Sequence, residues 1–183
     1  ASNSIDFFDA IQLVRKRGEL MQAAVPSGSG SMAALLGLED AVIIEICHKA
    51  SNKGVVEAVN FNSPGQVVIA GEKNAVTHAC KLMKEAGAKR ALILPVSVPS
   101  HCSLMKGAAA KFKTYVESVD FKTPSVKVIH NVDADYAGDN EAIKTKLVEQ
   151  LYKPVLWTDS VIKMKDSGVE RLIEAGPGKV LTG

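Results

Sequence analysis

Two apolar runs, VVEAVNFN over residues 55–62 and QVVIAG over residues 66–71, flank the turn residues Ser63-Pro64-Gly65. Short runs rich in Val, Ile and Phe, bounded by Ser, Pro and Gly, are typical of strands joined by a tight turn. We therefore predict a β-hairpin at this point of the chain. It decides the fold because the elements on both sides of it complete one sheet.

Outward from the hairpin, hydrophobic periodicity predicts a strand and a helix before it, and a helix and a buried strand after it. The predicted bounds are 31–38, 39–50, 74–86 and 90–96. Together with the hairpin, this order is β-α-β-β-α-β, which is the ferredoxin-like signature. We expect an antiparallel sheet with two helices on one face, and Gly87 as the residue that ends the second helix.

The flanking segments follow a different pattern. An amphipathic helix is predicted over residues 6–24, with Asp6 as its N-cap. Beyond the predicted sheet, helices alternate with apolar strands, which indicates a parallel sheet in an α/β fold. The predicted helices are 103–119, 140–152 and one that starts with Pro154 and runs to 167; the strands are 126–132 and 169–175; a last helix follows residue 178. We expect residues 1–27 and 98–183 to form one large domain, with 28–97 inserted as a small domain.

The composition is that of an ordinary globular protein. Of the 183 residues, 46% are hydrophobic and 23% are charged, which excludes a disordered chain. The net charge of +2, spread over interspersed acidic and basic residues, favours neither nucleic acid nor a membrane as partner. Three widely spaced cysteines without a C-x-x-C pair indicate a reducing, cytoplasmic compartment and no metal site.

Arg17 has an unusual position on the first predicted helix. At about 100° per residue, the apolar face of this helix consists of Phe7, Ala10, Val14, Gly18 and Met21. Arg17 projects beside that face, where an unpaired cation is costly. The spacing leaves two alternatives open, because the side chain either extends to solvent along its apolar stem or meets an internal carboxylate.

His101 lies in the segment PVSVPSHC over residues 95–102, between a predicted strand and the next helix. Loops at strand ends often carry catalytic residues, and a histidine is the usual general base near neutral pH. His101 is therefore the candidate base. Ser100 and Cys102 flank it, but adjacent side chains point apart, so we interpret both as structural and Ser100 as a helix cap. The 183 residues contain no G-x-S-x-G nucleophile elbow.

Several stretches occur in the order, and with nearly the spacing, of one enzyme family. They are VRKRG (14–18) with Met21, GSGSMAALLGL (28–38), VNFNSPGQVVIAG (59–71), PVSVPSHC (95–102), QLYKPVLW (150–157) and EAGPGKVLTG (174–183). Together they resemble the bacterial malonyl-CoA:acyl carrier protein transacylases of type II fatty-acid synthesis, across essentially the whole chain. The V-P-S-H context of the histidine is similar to that of stand-alone transacylases rather than modular polyketide acyltransferases.

The resemblance implies an α/β-hydrolase-like large domain with an inserted ferredoxin-like small domain, and it assigns roles to residues. His101 matches the base that activates a serine, and Gln150 matches the position whose backbone carbonyl orients that base. Arg17 matches the arginine that binds the free carboxylate of malonyl, and Met21 matches a residue of the same pocket. The family's small-domain turn near the acyl and CoA region is matched here by Asn60, Asn62 and Gln66.

The implied reaction moves malonyl from malonyl-CoA to the phosphopantetheine thiol of acyl carrier protein through a serine acyl-enzyme. It needs no cofactor of the enzyme's own. The family's G-H-S-L-G elbow is expected before Ala1, as is its G-Q-G-x-Q loop, and its last helix is expected after Gly183. We therefore expect these 183 residues to be inactive alone. Two alternatives stay open: a polyketide-type malonyl or methylmalonyl acyltransferase, and a non-catalytic module that binds CoA or a carrier protein.

Overall fold

The computed structural model describes residues 2–176 of the chain. Its helices and strands are, in order, α1 (Phe7–Gln22), β1 (Gly30–Leu36), α2 (Asp40–Ala50), β2 (Val56–Ser63), β3 (Gln66–Glu72), α3 (Lys73–Glu85), β4 (Arg90–Ile93), α4 (Lys106–Glu117), β5 (Ile129–His130), β6 (Asp135–Tyr136), α5 (Asn140–Glu149) and α6 (Trp157–Asp166). Short 3-10 helices, Ser51–Lys53 and Ser103–Met105, precede β2 and α4. Of the helices in the described range, none is long and apolar enough to cross a membrane.

The four strands β1 to β4 form one antiparallel sheet in the order β2-β3-β1-β4. The predicted β-α-β-β-α-β order is confirmed, and β2 and β3 are the predicted hairpin. Gly65 in the hairpin turn has φ +73°, a conformation that glycine adopts at no steric cost. Gly87 ends α3 as predicted, with φ +97° and its N–H donating to the carbonyl of Lys84. These four strands with α2 and α3 are called the sheet unit below.

Apolar side chains cover both faces of this sheet. Helices α2 and α3 pack on one face around fully buried Leu35, Ile43, Ile69 and Met83. On the other face, Met32, Val59 and Val68 pack with Cys102, the residue that follows His101. The loop after β4 is thereby anchored to the sheet by a side chain with no exposed surface.

Helices α1, α4 and α5 form a second core, called the helical unit below. Its buried side chains include Leu13, Met21, Met105, Phe112 and Leu151. Helix α1 begins at the predicted cap, since the Asp6 carboxylate accepts a hydrogen bond of 2.8 Å from the N–H of Phe8. The predicted apolar face of α1 is partly wrong. Leu13 is buried while Phe7 and Val14 are 70% exposed, because the stripe that meets α4 runs through Leu13 and Met21.

The strand predicted over residues 90–96 is shorter than expected and is not buried. It ends at Ile93, and the side chains of Leu92 and Ile93 are 53% exposed. The reason is its place at the edge of the sheet, where it pairs only with β1. An apolar run therefore predicted the strand but overestimated its burial.

The predicted parallel sheet is wrong for the described residues. Strand 126–132 is reduced to β5, which pairs antiparallel with β6, and residues 169–175 form no strand. Val126, Leu172 and Ile173 are exposed, and a run of apolar residues becomes a strand only when a neighbouring strand pairs with its backbone. The helix predicted after residue 178 lies outside the described residues.

The helix predicted to start at Pro154 starts instead at Trp157. The backbone before this helix is extended rather than helical, because Val155 pairs with the free edge of β2. The N–H of Val155 donates to the carbonyl of Val59 over 2.8 Å, and its carbonyl accepts from the N–H of Phe61 over 3.0 Å. This short pairing joins the sheet unit to the segment that follows α5.

Candidate active site

His101 is fixed by its backbone as well as by its ring. Its N–H donates to the carbonyl of Leu151 over 3.0 Å. Pro99 and Cys102, which lie on either side of the pair Ser100-His101, are buried. Its φ of +66° lies in the left-handed region, which favours glycine and is uncommon for other residues. The loop therefore holds the histidine in a strained conformation at the junction of the two units.

The imidazole of His101 is oriented by a main-chain oxygen. Nδ1 lies 2.7 Å from the carbonyl oxygen of Gln150. A carbonyl oxygen only accepts, so Nδ1 carries the proton and Nε2 of the neutral ring has a free lone pair. Among residues 2–176, no side chain or backbone group is hydrogen-bonded to that Nε2. The ring is thus prepared to take a proton at Nε2.

The surroundings of His101 favour its neutral form. Burial lowers the pKa of His101 most strongly, the hydrogen bond to the Gln150 carbonyl opposes this, and the positive charge of Arg17 lowers the pKa further. An imidazole with a lowered pKa is unprotonated at neutral pH, which is the state that a general base requires.

Arg17 is half-buried, and its guanidinium meets a neutral partner. Its Nη2 donates to the side-chain oxygen Oε1 of Gln150 over 2.9 Å. In the part of the chain that the structure describes, no carboxylate lies within ion-pair distance of Arg17. Burial accordingly lowers the pKa of Arg17. The two alternatives from the sequence are therefore replaced by a third, in which an amide receives one of the five guanidinium N–H groups.

A cavity of about 280 Å³ borders Arg17 and Gln150. Apart from these two and a few other polar groups, its lining is apolar and includes Leu13, Phe112 and Ile143. Low polarity around a cation with unused donors strengthens its attraction for an anion.

Gln150 connects the candidate base with the candidate cation. It caps the C-terminus of α5, so its carbonyl has no partner within the helix and is available to His101. Its side-chain nitrogen points to Asn131, with Nε2 and Oδ1 separated by 3.4 Å, and the Asn131 carbonyl accepts from Leu156 over 2.7 Å. The sequence prediction assigned only the backbone of Gln150; the side-chain contacts and Asn131 were missed, because no spacing rule brings residues 17, 131 and 150 together.

The remaining predicted site residues lie apart from this network. Met21 is buried in the helical unit and does not line the cavity beside Arg17. Asn60 and Asn62 are half-buried on β2, and Asn60 is bridged to Val155. Gln66 begins β3 with an exposed side chain whose Oε1 accepts from the Ser63 hydroxyl over 3.2 Å. Asn60, Asn62 and Gln66 thus all belong to the hairpin of β2 and β3.

Cys102 is not a nucleophile in this arrangement, and Ser100 does not cap the helix that follows it. Burial raises the pKa of the Cys102 thiol to about 12, and its Sγ donates to the Pro99 carbonyl over 3.1 Å, so it is held as a thiol. The prediction of Ser100 as a helix cap is wrong. The 3-10 helix begins after Cys102, and Glu57 of β2 satisfies its first turn by accepting from the N–H of Ser103 over 3.0 Å and from the Ser103 hydroxyl.

The whole sequence matches a known protein family. The model of the family described as acyl transferase domain matches residues 1–183. The chain belongs to this acyl transferase family. Residues 2–176 hold no cluster of His, Cys, Asp or Glu suited to a metal ion.

Relatives within the acyl transferase family are similar over nearly all of this chain. A malonyl CoA-acyl carrier protein transacylase of Escherichia coli (strain K12) is 57% identical over 179 residues, which are 98% of this chain and 58% of the relative. The crystal structure of an acyl carrier protein S-malonyltransferase from Vibrio cholerae is 56% identical with a TM-score of 0.97, covering 99% of this chain and 59% of that one. A malonyl-transacylase solved in complex with its type II polyketide acyl-carrier protein is 51% identical, with a TM-score of 0.97. The match covers 99% of this chain and 59% of that one. The chain thus spans less than two thirds of these relatives.

Proposed function

We propose that this chain is part of an S-malonyltransferase that moves malonyl from CoA to the phosphopantetheine thiol of acyl carrier protein. The observation that carries the proposal is the hydrogen bond between His101 Nδ1 and the Gln150 carbonyl, with Arg17 attached to the same glutamine. The two bonds join His101, with its proton on Nδ1, and Arg17, with unused donors, to the same residue, which supports a base and a carboxylate clamp in one site. The names of the similar proteins support malonyl as the acyl group and acyl carrier protein as the acceptor.

In the first half-reaction, His101 Nε2 accepts the proton of a serine hydroxyl as its oxygen attacks the thioester carbonyl. The carbon–sulfur bond breaks, the imidazolium returns the proton to the CoA sulfur, and malonyl stays on the serine as an ester. The Gln150 carbonyl stabilises the imidazolium through Nδ1–H, as the acid of a triad does. The serine would be that of a G-H-S-L-G segment, as the family resemblance implies.

In the second half-reaction, the phosphopantetheine thiol gives its proton to His101 Nε2 and its sulfur attacks the ester carbonyl. The carbon–oxygen bond breaks, and the imidazolium protonates the departing serine oxygen. Atoms and charge balance over the cycle, and no cofactor is consumed. Arg17 binds the free carboxylate of malonyl throughout, because a guanidinium offers a carboxylate two parallel hydrogen bonds.

The proposal extends to the domain organisation and to the other residues. Residues 28–97 would be a ferredoxin-like small domain inserted into an α/β-hydrolase-like domain formed by 1–27, 98–183 and the rest of the protein. Met21, one turn after Arg17 on α1, would line the same acyl pocket. The polar face of the small domain, with Asn60, Asn62 and Gln66, would meet the acyl and CoA region. The buried, unpaired cysteines support a cytoplasmic location.

One alternative has an observation in its favour. A malonyl-transacylase similar to this chain has been solved with a type II polyketide acyl-carrier protein. A carrier of polyketide synthesis is therefore a second candidate acceptor for the same reaction. Competition between the two carrier types for malonyl-enzyme would decide between them.

The test uses the intact protein that contains this chain, incubated with labelled malonyl-CoA. We expect a burst of malonyl ester on one serine and transfer of the label to holo acyl carrier protein. His101→Ala should abolish the burst at neutral pH while leaving the folded state intact by circular dichroism. A wild-type protein that never becomes acylated would refute the proposal, and an unchanged burst in His101→Ala would remove His101 from the mechanism.

A further inference from the structure

Gln150 is the one residue that contacts both His101 and Arg17 in the described part of the chain. The two contacts use different parts of the residue. His101 is held by the backbone carbonyl, which any amino acid at this position would supply, whereas Arg17 is held by the side-chain amide. The side chain can therefore be changed by mutation without removing the oxygen that orients the base.

The partner of Arg17 is a neutral acceptor, although the residue before Gln150 is an acid. Glu149 binds Lys153 over 2.7 Å and is not paired with Arg17. A carboxylate in place of the Gln150 amide would form a charge-assisted pair with the guanidinium and compensate its charge. The amide oxygen instead occupies one donor, so the guanidinium is held in place while its charge and its other donors stay available.

Further contacts hold the side-chain amide of Gln150, so the position of its oxygen Oε1 is fixed. Its nitrogen approaches Asn131 Oδ1 to 3.4 Å, and the backbone N–H of Gln150 is bonded to the carbonyls of Lys146 and Val148 at the end of α5. The order Asn131, Gln150, Arg17 is thus a chain of contacts that runs from a turn through a helix end to α1. It sets where the guanidinium lies relative to His101.

We propose that the Gln150 side chain is a positioning residue that determines specificity for acyl groups with a free carboxylate, because it fixes Arg17 through a neutral acceptor and leaves its charge uncompensated. The inference rests on the proposed malonyl transfer and adds to it a residue that selects the donor. An acetyl group has no carboxylate to bind, so a change of this side chain should affect acetyl transfer less than malonyl transfer.

The test measures acyl-enzyme formation on the intact protein with malonyl-CoA and, separately, with acetyl-CoA. Gln150→Glu keeps the length of the side chain and adds a charge that pairs with Arg17. We expect it to raise KM for malonyl-CoA by about tenfold or more, the size of one charge-assisted hydrogen bond lost from binding. Gln150→Met keeps the length without an acceptor, and we expect a smaller rise. In both variants, the loss should be larger with malonyl-CoA than with acetyl-CoA, and it should appear in KM more than in the maximal rate, because the carbonyl still orients His101.

Gln12→Glu is the matched control, since residue 12 is exposed on the same helix as Arg17 but points to another side. It adds the same charge and should leave KM for malonyl-CoA unchanged. An unchanged malonyl KM in Gln150→Glu would overturn the inference, and so would an equal loss with both donors, which would indicate a purely structural role. If Gln150→Glu does not fold, the selective rise in Gln150→Met decides in its place. Wild-type protein that fails to accept malonyl would refute the proposed function first, so the two failures are distinguishable.

Discussion

At the scale of single residues, the positive charge of Arg17 acts on the charge state of His101. Burial lowers the pKa of His101, and the positive charge of Arg17 lowers it further. We expect the ring to titrate below about 6.5, the ordinary pKa of a histidine. The rate of acyl-enzyme formation should therefore fall only as the pH drops below that value, when the base becomes protonated.

Removing the charge of Arg17 should raise the pKa of His101, although burial will keep it below the ordinary value. In Arg17→Met, we expect the NMR titration midpoint of the His101 ring to move to higher pH. Arg15→Met is the control, because Arg15 is exposed and paired with Glu19 over 3.0 Å. Equal midpoints in wild type and Arg17→Met would contradict the electrostatic coupling.

Arg17 should also decide which acyl group is accepted. In the intact enzyme, Arg17→Ala should lower malonyl transfer at least about a hundredfold, since two charge-assisted hydrogen bonds to the carboxylate are lost. Acetyl transfer should survive or rise. Arg17→Lys should restore only part of the malonyl rate, because an ammonium lacks the planar fork. Equal losses with malonyl-CoA and acetyl-CoA, measured side by side, would be incompatible with a carboxylate clamp.

At the scale of secondary-structure elements, Glu57 connects β2 with the start of the helix that follows His101. Its carboxylate accepts from both the N–H and the hydroxyl of Ser103, at a helix N-terminus where negative charge is favourable. Glu57→Ala should lower the free energy of unfolding by about 1–3 kcal/mol, the usual value of hydrogen bonds to a charged group. Glu57→Gln should lose less, because its amide oxygen still accepts.

A double-mutant cycle of Glu57→Ala with Ser103→Ala in urea checks this contact. The two losses should add to clearly more than the loss of the double mutant. Glu45→Ala serves as the comparison, because its partner Lys49 is exposed and such surface pairs contribute about 0–1 kcal/mol. Strictly additive losses for Glu57 and Ser103 would mean that the bond between the Ser103 hydroxyl and the Glu57 carboxylate stabilises nothing.

The accuracy of the sequence prediction differed between elements for a physical reason. The sheet unit was predicted almost completely, because every strand in it finds its partners within residues 30–93. The strands over 126–132 and 169–175 were mostly wrong, since an apolar run records only a tendency to be buried and says nothing of a pairing partner. The predicted helix starts were not equally accurate. Asp6 caps α1 as predicted, whereas the backbone near Pro154 pairs with β2.

The site was predictable only in part. Position after a strand made His101 a candidate, and position on a helical wheel made Arg17 one, but the roles proposed for both came from the family resemblance. The glutamine amide as partner of Arg17 could not be deduced, because the contact joins residues 133 positions apart. The Gln150 carbonyl came only from family resemblance, since a backbone oxygen leaves no trace in the sequence.

At the scale of the whole molecule, these 183 residues carry the candidate base and the candidate cation but no G-x-S-x-G elbow. A polypeptide of this sequence alone should form no malonyl ester with malonyl-CoA, as measured by intact mass after acid quench. The same assay on the intact protein is the positive control. An added mass of one malonyl group on the 183-residue polypeptide would show that another residue accepts the acyl group.

The backbone of His101 has a consequence for engineering. Its φ of +66° costs a residue with a Cβ about 1–2 kcal/mol, whereas glycine adopts it freely. His101→Gly should therefore resist urea better than His101→Ala by about 1 kcal/mol, although both lack the imidazole. A screen that rewards only thermal stability would tend to enrich glycine at this position and so discard the base. Mutant libraries designed to raise the thermal stability of this protein therefore need a selection for activity at residue 101.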